Sequence, residues 1–175
     1  MQRAKSQAHR PNHNTMWVKP QEGMLKCNVD AAMFQNNAIE GYGLCFRNSM
    51  GQFIIGKSAF SSSPGSVLEA EAIALFEAFK MAISCGFLSV HFETDNKTLV
   101  DAVHSNSTHI NEFGDIVSQW KDILTTNTDF KVSYIRRQAN RVAHTIARAS
   151  LSQPSPHIFH IVPSTLYSLI MNETI

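Results

Sequence analysis

The chain has 175 residues, 43% of them hydrophobic and 17% charged, with a formal net charge of +1. This composition supports one ordinary domain with a real core and excludes an intrinsically disordered chain. The near-neutral balance excludes a global basic field, so any binding of nucleic acid must rest on a local patch.

In chain order, residues 1–15 are polar, contain Pro11 and have no apolar core of the signal-peptide kind; a disordered leader is expected over 1–16. Trp17 to Gly23 leads into three strand-like runs, MLKCNVDA, GYGLCFRN and QFIIGKSAF, whose short links (NSMG among them) predict an antiparallel meander. SSSPGS ends the strands and opens a helix over SVLEAEAIALFEAFKMAISCG, with Gly86 as its stop. LSVHFET is a fourth strand, NKTLVDAVHSN a second helix that Asp95 starts, and FGDIVSQWKDIL a third helix. FKVSYI is a fifth strand and NRVAHTIARASL a last helix. The later strands alternate with helices and should pair in parallel, so the expected architecture is α/β: one mixed five-stranded sheet, three strands antiparallel and then two parallel, flanked by helices. The tail, residues 152–175, includes HIFHIVPSTLYSLIM, which is too short and too broken by Pro163 to span a membrane; it is expected to pack on or beside the domain. The three cysteines, Cys27, Cys45 and Cys85, form no CxxC pair and read as buried thiols in a reducing, intracellular compartment. No targeting signal chooses between nucleus and cytoplasm.

One residue does not suit its surroundings. Asp30 sits in CNVDAAMF, an otherwise small and apolar run, and a buried carboxylate requires a partner or a cation. Asp95 ends the fourth strand; if the two strands are neighbours, both carboxylates point to one place. On a helical wheel of the first helix, Leu68, Ala72, Leu75, Phe76, Phe79, Ala82 and Ile83 form the core stripe. Glu71 lies at the edge of that stripe and can reach the sheet, whereas Glu69, Glu77 and Lys80 fall on the wet side. Three converging carboxylates repel one another, and a hard divalent cation such as magnesium resolves the conflict. A pair of such ions is suited to phosphodiester chemistry. The same residues also have plainer readings: Asp95 as the N-cap of the second helix, Glu71 as an acid at the edge of a helix face, and Glu93 as a spare carboxylate on the face of Asp95.

NVDAA, AEAIAL, FETDN and ANRVAHTIA, in this order, resemble the ribonuclease H fold. More narrowly, WVKPQEGMLKCNVDAAMF resembles the ribonuclease-H-like domain of plants, found alone or at the end of non-LTR retroelement reverse transcriptases. The likeness runs from about Trp17 to Leu151, and the domain is placed at residues 17–151. It implies magnesium-dependent cleavage of the RNA strand of RNA–DNA hybrids by two ions, with manganese as a substitute. It further implies that Asp30, Glu71 and Asp95 are catalytic metal ligands and that His144 stands where cellular enzymes carry a fourth aspartate. His144 shares a polar face with Arg141, Thr145 and Arg148, opposite Val142, Ala143, Ile146 and Ala149; it is placed to ligate or to be solvated. The family's loop histidine has no match, since IRRQAN carries Arg136 and Arg137 there. These two, with Arg141, are candidates for phosphate contact. The expected protein is a monomer, in origin part of a larger reverse transcriptase. The alternative is a retroelement-derived remnant that binds nucleic acid without cutting it.

Overall fold

The structure, a computed structural model, describes residues 15–174 except 36–37, 63–64 and 106–111. Nearly all of the expected leader therefore lies outside the described residues, as do Ser63 and Pro64 at the helix entrance and Asn106 at the end of the second helix. Leu25–Phe34 (β1), Ile39–Arg47 (β2) and Phe53–Ser61 (β3) form the antiparallel meander. Val67–Ser84 (α1) leads to Val90–Thr94 (β4), followed by Lys97–His104 (α2) and Glu112–Thr126 (α3). Phe130–Tyr134 (β5) is joined by a 3-10 turn, Arg137–Ala139, to Arg141–Ala149 (α4). β4 pairs in parallel with both β1 and β5.

Among the described residues the sheet has six strands, not five. His157–Phe159 (β6) adds to the edge of β3, giving the order β5-β4-β1-β2-β3-β6. Three residues are too few to show a strand period, and the pairing is made by backbone, which composition does not reveal. Ser164–Thr174 (α5) closes the chain. Among the described residues no helix is long and apolar enough to cross a membrane.

Strand alternation sends side chains to two helical layers. Cys27, Val29, Leu44 and Phe46 join Leu75 and Phe79 of α1 and Trp120 of α3 in the larger core. Cys45, which alternates with Leu44 and Phe46, packs instead with Val142 and Ile146 of α4 and Leu166 and Ile170 of α5. Two wheel assignments are corrected: Ile83 is 48% exposed and Ala149 is exposed, each at the last turn of its helix where the core falls away, while Ala147 takes the buried place on α4. Cys27 and Cys45 are buried free thiols, but Cys85, expected buried, is exposed at the C-cap of α1.

Gly43 sets how closely α4 can lie on the sheet. A Cβ there would stand 2.4 Å from the Ala147 backbone nitrogen and 2.7 Å from the Ala143 carbonyl oxygen. Only a residue without a side chain permits this approach. Gly43 is also the cross-strand partner of Asp30, so the close approach brings the middle of α4 over Asp30.

Candidate metal centre

The parallel register between β1 and β4 aligns Val29 with Thr94, so the next residues, Asp30 and Asp95, emerge side by side. Asp95 is not the N-cap of α2. Asn96 performs that role, its side chain accepting from the Leu99 N–H at 3.3 Å, which leaves the Asp95 carboxylate available. Glu71 comes from the second turn of α1 and is 6% exposed. One oxygen from each of Asp30, Glu71 and Asp95 lies within 4.8 Å of the others. Glu69, two residues earlier, is engaged elsewhere: it completes a capping box with Ser66, accepting from the Ser66 N–H at 2.7 Å while Ser66 Oγ accepts from the Glu69 N–H.

Glu93 and Glu77 are occupied by cations of their own. Glu93 faces the same side as Asp30 but forms a 2.8 Å ion pair with Lys26 and accepts from Asn28 Nδ2 at 3.0 Å. Asn28 accepts in turn from Arg47, which is fully buried, stacks 3.5 Å from the Trp17 ring and pairs with Glu173 of α5 at 2.7 Å. Glu77, expected on the wet side, is half-buried between Lys57 of β3 and Lys80. The wheel of one helix does not show that a strand edge carries a cation to meet it.

The electrostatics of the cluster are those of charges short of a counter-ion. Burial and the neighbouring Asp95 charge push the Asp30 carboxyl up to about 6, against the pull of His144 and Arg137. Burial and the charges of Asp30 and Asp95 push Glu71 up to about 9, only partly offset by the Ala31 N–H. Glu71 Oε2 is buried with no hydrogen-bond partner. An orphaned buried oxygen beside two more carboxylates is a donor set that suits a hard divalent cation.

His144 reaches the cluster from α4, its Nδ1 2.7 Å from Asp30 Oδ2. It is 32% exposed at the side chain, so it neither points away nor closes the site. Arg137 lies against it, with one guanidinium nitrogen 3.2 Å from Nδ1 and 3.4 Å from Nε2. Arg136, Arg137 and Arg141 are all exposed.

Sequence reasoning missed Asn140. It is the N-cap residue of α4, yet its side chain makes no cap bond. It is fully buried and donates from Nδ2 to the Val29 carbonyl at 2.8 Å, one residue before Asp30. Its own carbonyl accepts from the His144 N–H. Asn140 thereby ties the start of α4 to β1 and fixes the spacing of His144 from Asp30. An asparagine just before an apolar helical run gives no sign of such a partner 111 residues away.

Residues 28–150 match the reverse transcriptase-like family. The chain belongs to that family. A provisionally named ribonuclease H protein of Arabidopsis thaliana is 25% identical over 162 residues, 91% of this chain, and the chain spans only 26% of that relative's length. The fold matches that of RNase H1 from the halophilic archaeon Halobacterium salinarum, with a TM-score of 0.67 at 17% identity over 74% of this chain and 98% of that one. It also matches part of a foamy viral protease–reverse transcriptase bound to an RNA/DNA hybrid, with a TM-score of 0.59 at 13% identity over 86% of this chain and 22% of that one. The domain thus has the ribonuclease H fold that the NVDAA, FETDN and ANRVAH motifs implied.

Proposed function

We propose that this domain is a metal-dependent endonuclease that hydrolyses the RNA strand of RNA–DNA hybrids. The observation that carries the proposal is the convergence of Asp30, Glu71 and Asp95 within 4.8 Å, with one buried Glu71 oxygen unpartnered. Those three residues would hold two magnesium ions, or manganese in their place. Bound there, the ions supply an activated water and stabilise the leaving 3′-oxygen of an in-line phosphodiester hydrolysis. The chain's own contribution is to fix the three carboxylates on the middle of β1, the end of β4 and α1, so that little reorganisation is needed when a substrate arrives. His144 orients against Asp30 from the side opposite α1. Arg136, Arg137 and Arg141 contact backbone phosphates and position the duplex without reading bases. Discrimination of a hybrid from duplex DNA follows from the shallow minor groove and the 2′-hydroxyls.

A second reading has its own support. His144 brings no negative charge where a fourth acid would stand, and it already occupies one oxygen of Asp30. A domain of this kind can hold a hybrid and leave it uncut. The two readings separate in one assay. Purified protein is mixed with a hybrid labelled on either strand, with magnesium, manganese or a chelator. Cleavage of the RNA strand alone, abolished by chelator, supports the nuclease. A hybrid bound at low salt and intact under every ion supports the binding remnant. Cleavage that survives chelation overturns the metal mechanism.

A further inference from the structure

β5 is an edge strand of the sheet. Between it, the C-terminal end of α2 and the C-terminal half of α3 lies a groove of about 710 Å³. That volume is in the range of ligand sites. The groove shares no residue with the carboxylate cluster, and the proposed cleavage gives it no task.

Its polar lining is one-sided. Lys121, Lys131, His91 and His104 face it, and no carboxylate is among its described lining residues. Asp122 and Asp129, the nearest acids in sequence, are exposed and outside the lining. In a chain of net charge +1 this is a local concentration of cationic groups. Hydrogen bonds fix the walls. His104 Nε2 donates to the Val132 carbonyl of the edge strand at 3.1 Å, and Lys121 Nζ donates to the Ser105 carbonyl at 2.6 Å. An ammonium has three hydrogens, so that bond leaves Lys121 donors for a ligand. The floor is apolar, built from the nearly buried Val103, Phe130 and Val132. Two lysines above an apolar floor suit a phosphate whose base is exposed. In a duplex the bases are paired and stacked inside, so this pairing of features favours a single strand.

The groove also stands in register with the cluster. His91 in the groove, Glu93 and Asp95 are alternate residues along β4 and just past its end, so they share one face. At about 3.3 Å per residue, His91 and Asp95 are about 13 Å apart, which about four stacked nucleotides span. Glu93, between them, is neutralised by Lys26 and does not repel a strand laid along that path. We infer that the groove is a subsite for a single-stranded extension of the bound nucleic acid, with Lys121 and Lys131 on its phosphates and the apolar floor under an unpaired base. This rests on nucleic acid being what the carboxylate site receives, and not on its being cut.

The test is fluorescence anisotropy with the full chain in chelator, where nothing is cut. Labelled RNA–DNA hybrids are compared with flush ends and with an extension of about six nucleotides, long enough to reach the groove, on each strand and each end in turn. In the wild type one extension should tighten binding by roughly tenfold or more, because a second contact on the same strand is intramolecular. The gain should disappear in the double variant Lys121→Ala, Lys131→Ala, along with about 1.4 of the slope of log affinity against log salt, the share of two phosphates on a single strand. Thr125→Glu puts a carboxylate on the groove wall without removing either lysine and should also abolish the gain. Lys97→Ala, on α2 outside the groove, should keep it. No gain from any extension in the wild type overturns the inference. So does a gain that survives both the double variant and Thr125→Glu. If the wild type binds no hybrid, the proposed function fails, and the labelled single strand alone decides the groove: binding that Thr125→Glu abolishes supports it, and no binding overturns it.

Discussion

Replacing Glu71 by glutamine should change the pH dependence of stability and remove the response to magnesium together. One oxygen from each of Asp30, Glu71 and Asp95 lies within 4.8 Å of the others. At an effective dielectric of about 20, two unit charges at that distance repel by about 3 kcal/mol. Burial adds to this, and Glu71 is held above its ordinary value of 4.5, at about 9. Between those values the unfolded chain has released the Glu71 proton and the folded chain still holds it. The folded state binds more protons, so stability falls as pH rises, by at most about 1.4 kcal/mol per pH unit. Glutamine has no proton to release. Wild type and Glu71→Gln should therefore unfold alike in acid and diverge upward from there, with the variant more stable near neutrality by up to about 3 kcal/mol in chelator. Excess magnesium at mildly alkaline pH should restore the wild type, because an ion that binds only the folded state stabilises it, and should do nothing for the variant. Glu69→Gln is the control: it keeps the capping box, lies outside the cluster and should follow the wild type in stability, magnesium response and cleavage. Urea unfolding across this pH range, with and without magnesium, gives both readings. Parallel wild-type and Glu71→Gln curves, or an equal magnesium gain in both, would refute the reasoning.

Three further outcomes follow from the packing and the charges. Gly43→Ala places a methyl 2.4 Å from the α4 backbone and should cost about 1–3 kcal/mol of stability, measured by denaturant unfolding, while lowering cleavage by lifting His144 from Asp30. Glu173→Ala leaves the fully buried Arg47 without its carboxylate and should cost about 3 kcal/mol or more, read as a loss of Tm with no change in the pH slope set by Glu71. Arg136→Ala and Arg141→Ala should each weaken hybrid binding uniformly across sequences and reduce the slope of log affinity against log salt by about 1, measured by anisotropy over a salt series.

The convergence of Asp30, Glu71 and Asp95 was legible because these residues sit where local patterns are strong. Asp30 is conspicuous in an apolar strand, and helix periodicity separates Glu71 from Glu69. What stayed hidden depends on contacts between distant segments. The sixth strand is three residues of backbone pairing, and Asn140 looks like any helix cap. Arg47 gives no sign that Trp17, Asn28 and Glu173 enclose it, since those partners come from both ends of the chain. Glu77 was misplaced for the same reason, because its partner Lys57 belongs to another element. Asp95 was ambiguous in the sequence because two adjacent residues, Asp95 and Asn96, can each cap a helix; the bond from Leu99 to Asn96 decides between them.

The most direct measurement is where a divalent ion sits. Crystals of the protein grown or soaked with manganese, and measured at a wavelength where manganese scatters anomalously, show the ion without reference to the carboxylates. The expected result is anomalous density in contact with Asp30, Glu71 and Asp95, lost in Glu71→Gln crystals treated alike. Density that avoids these three residues, or none at manganese concentrations that support RNA cleavage, would contradict the assignment of the carboxylate cluster as the metal centre.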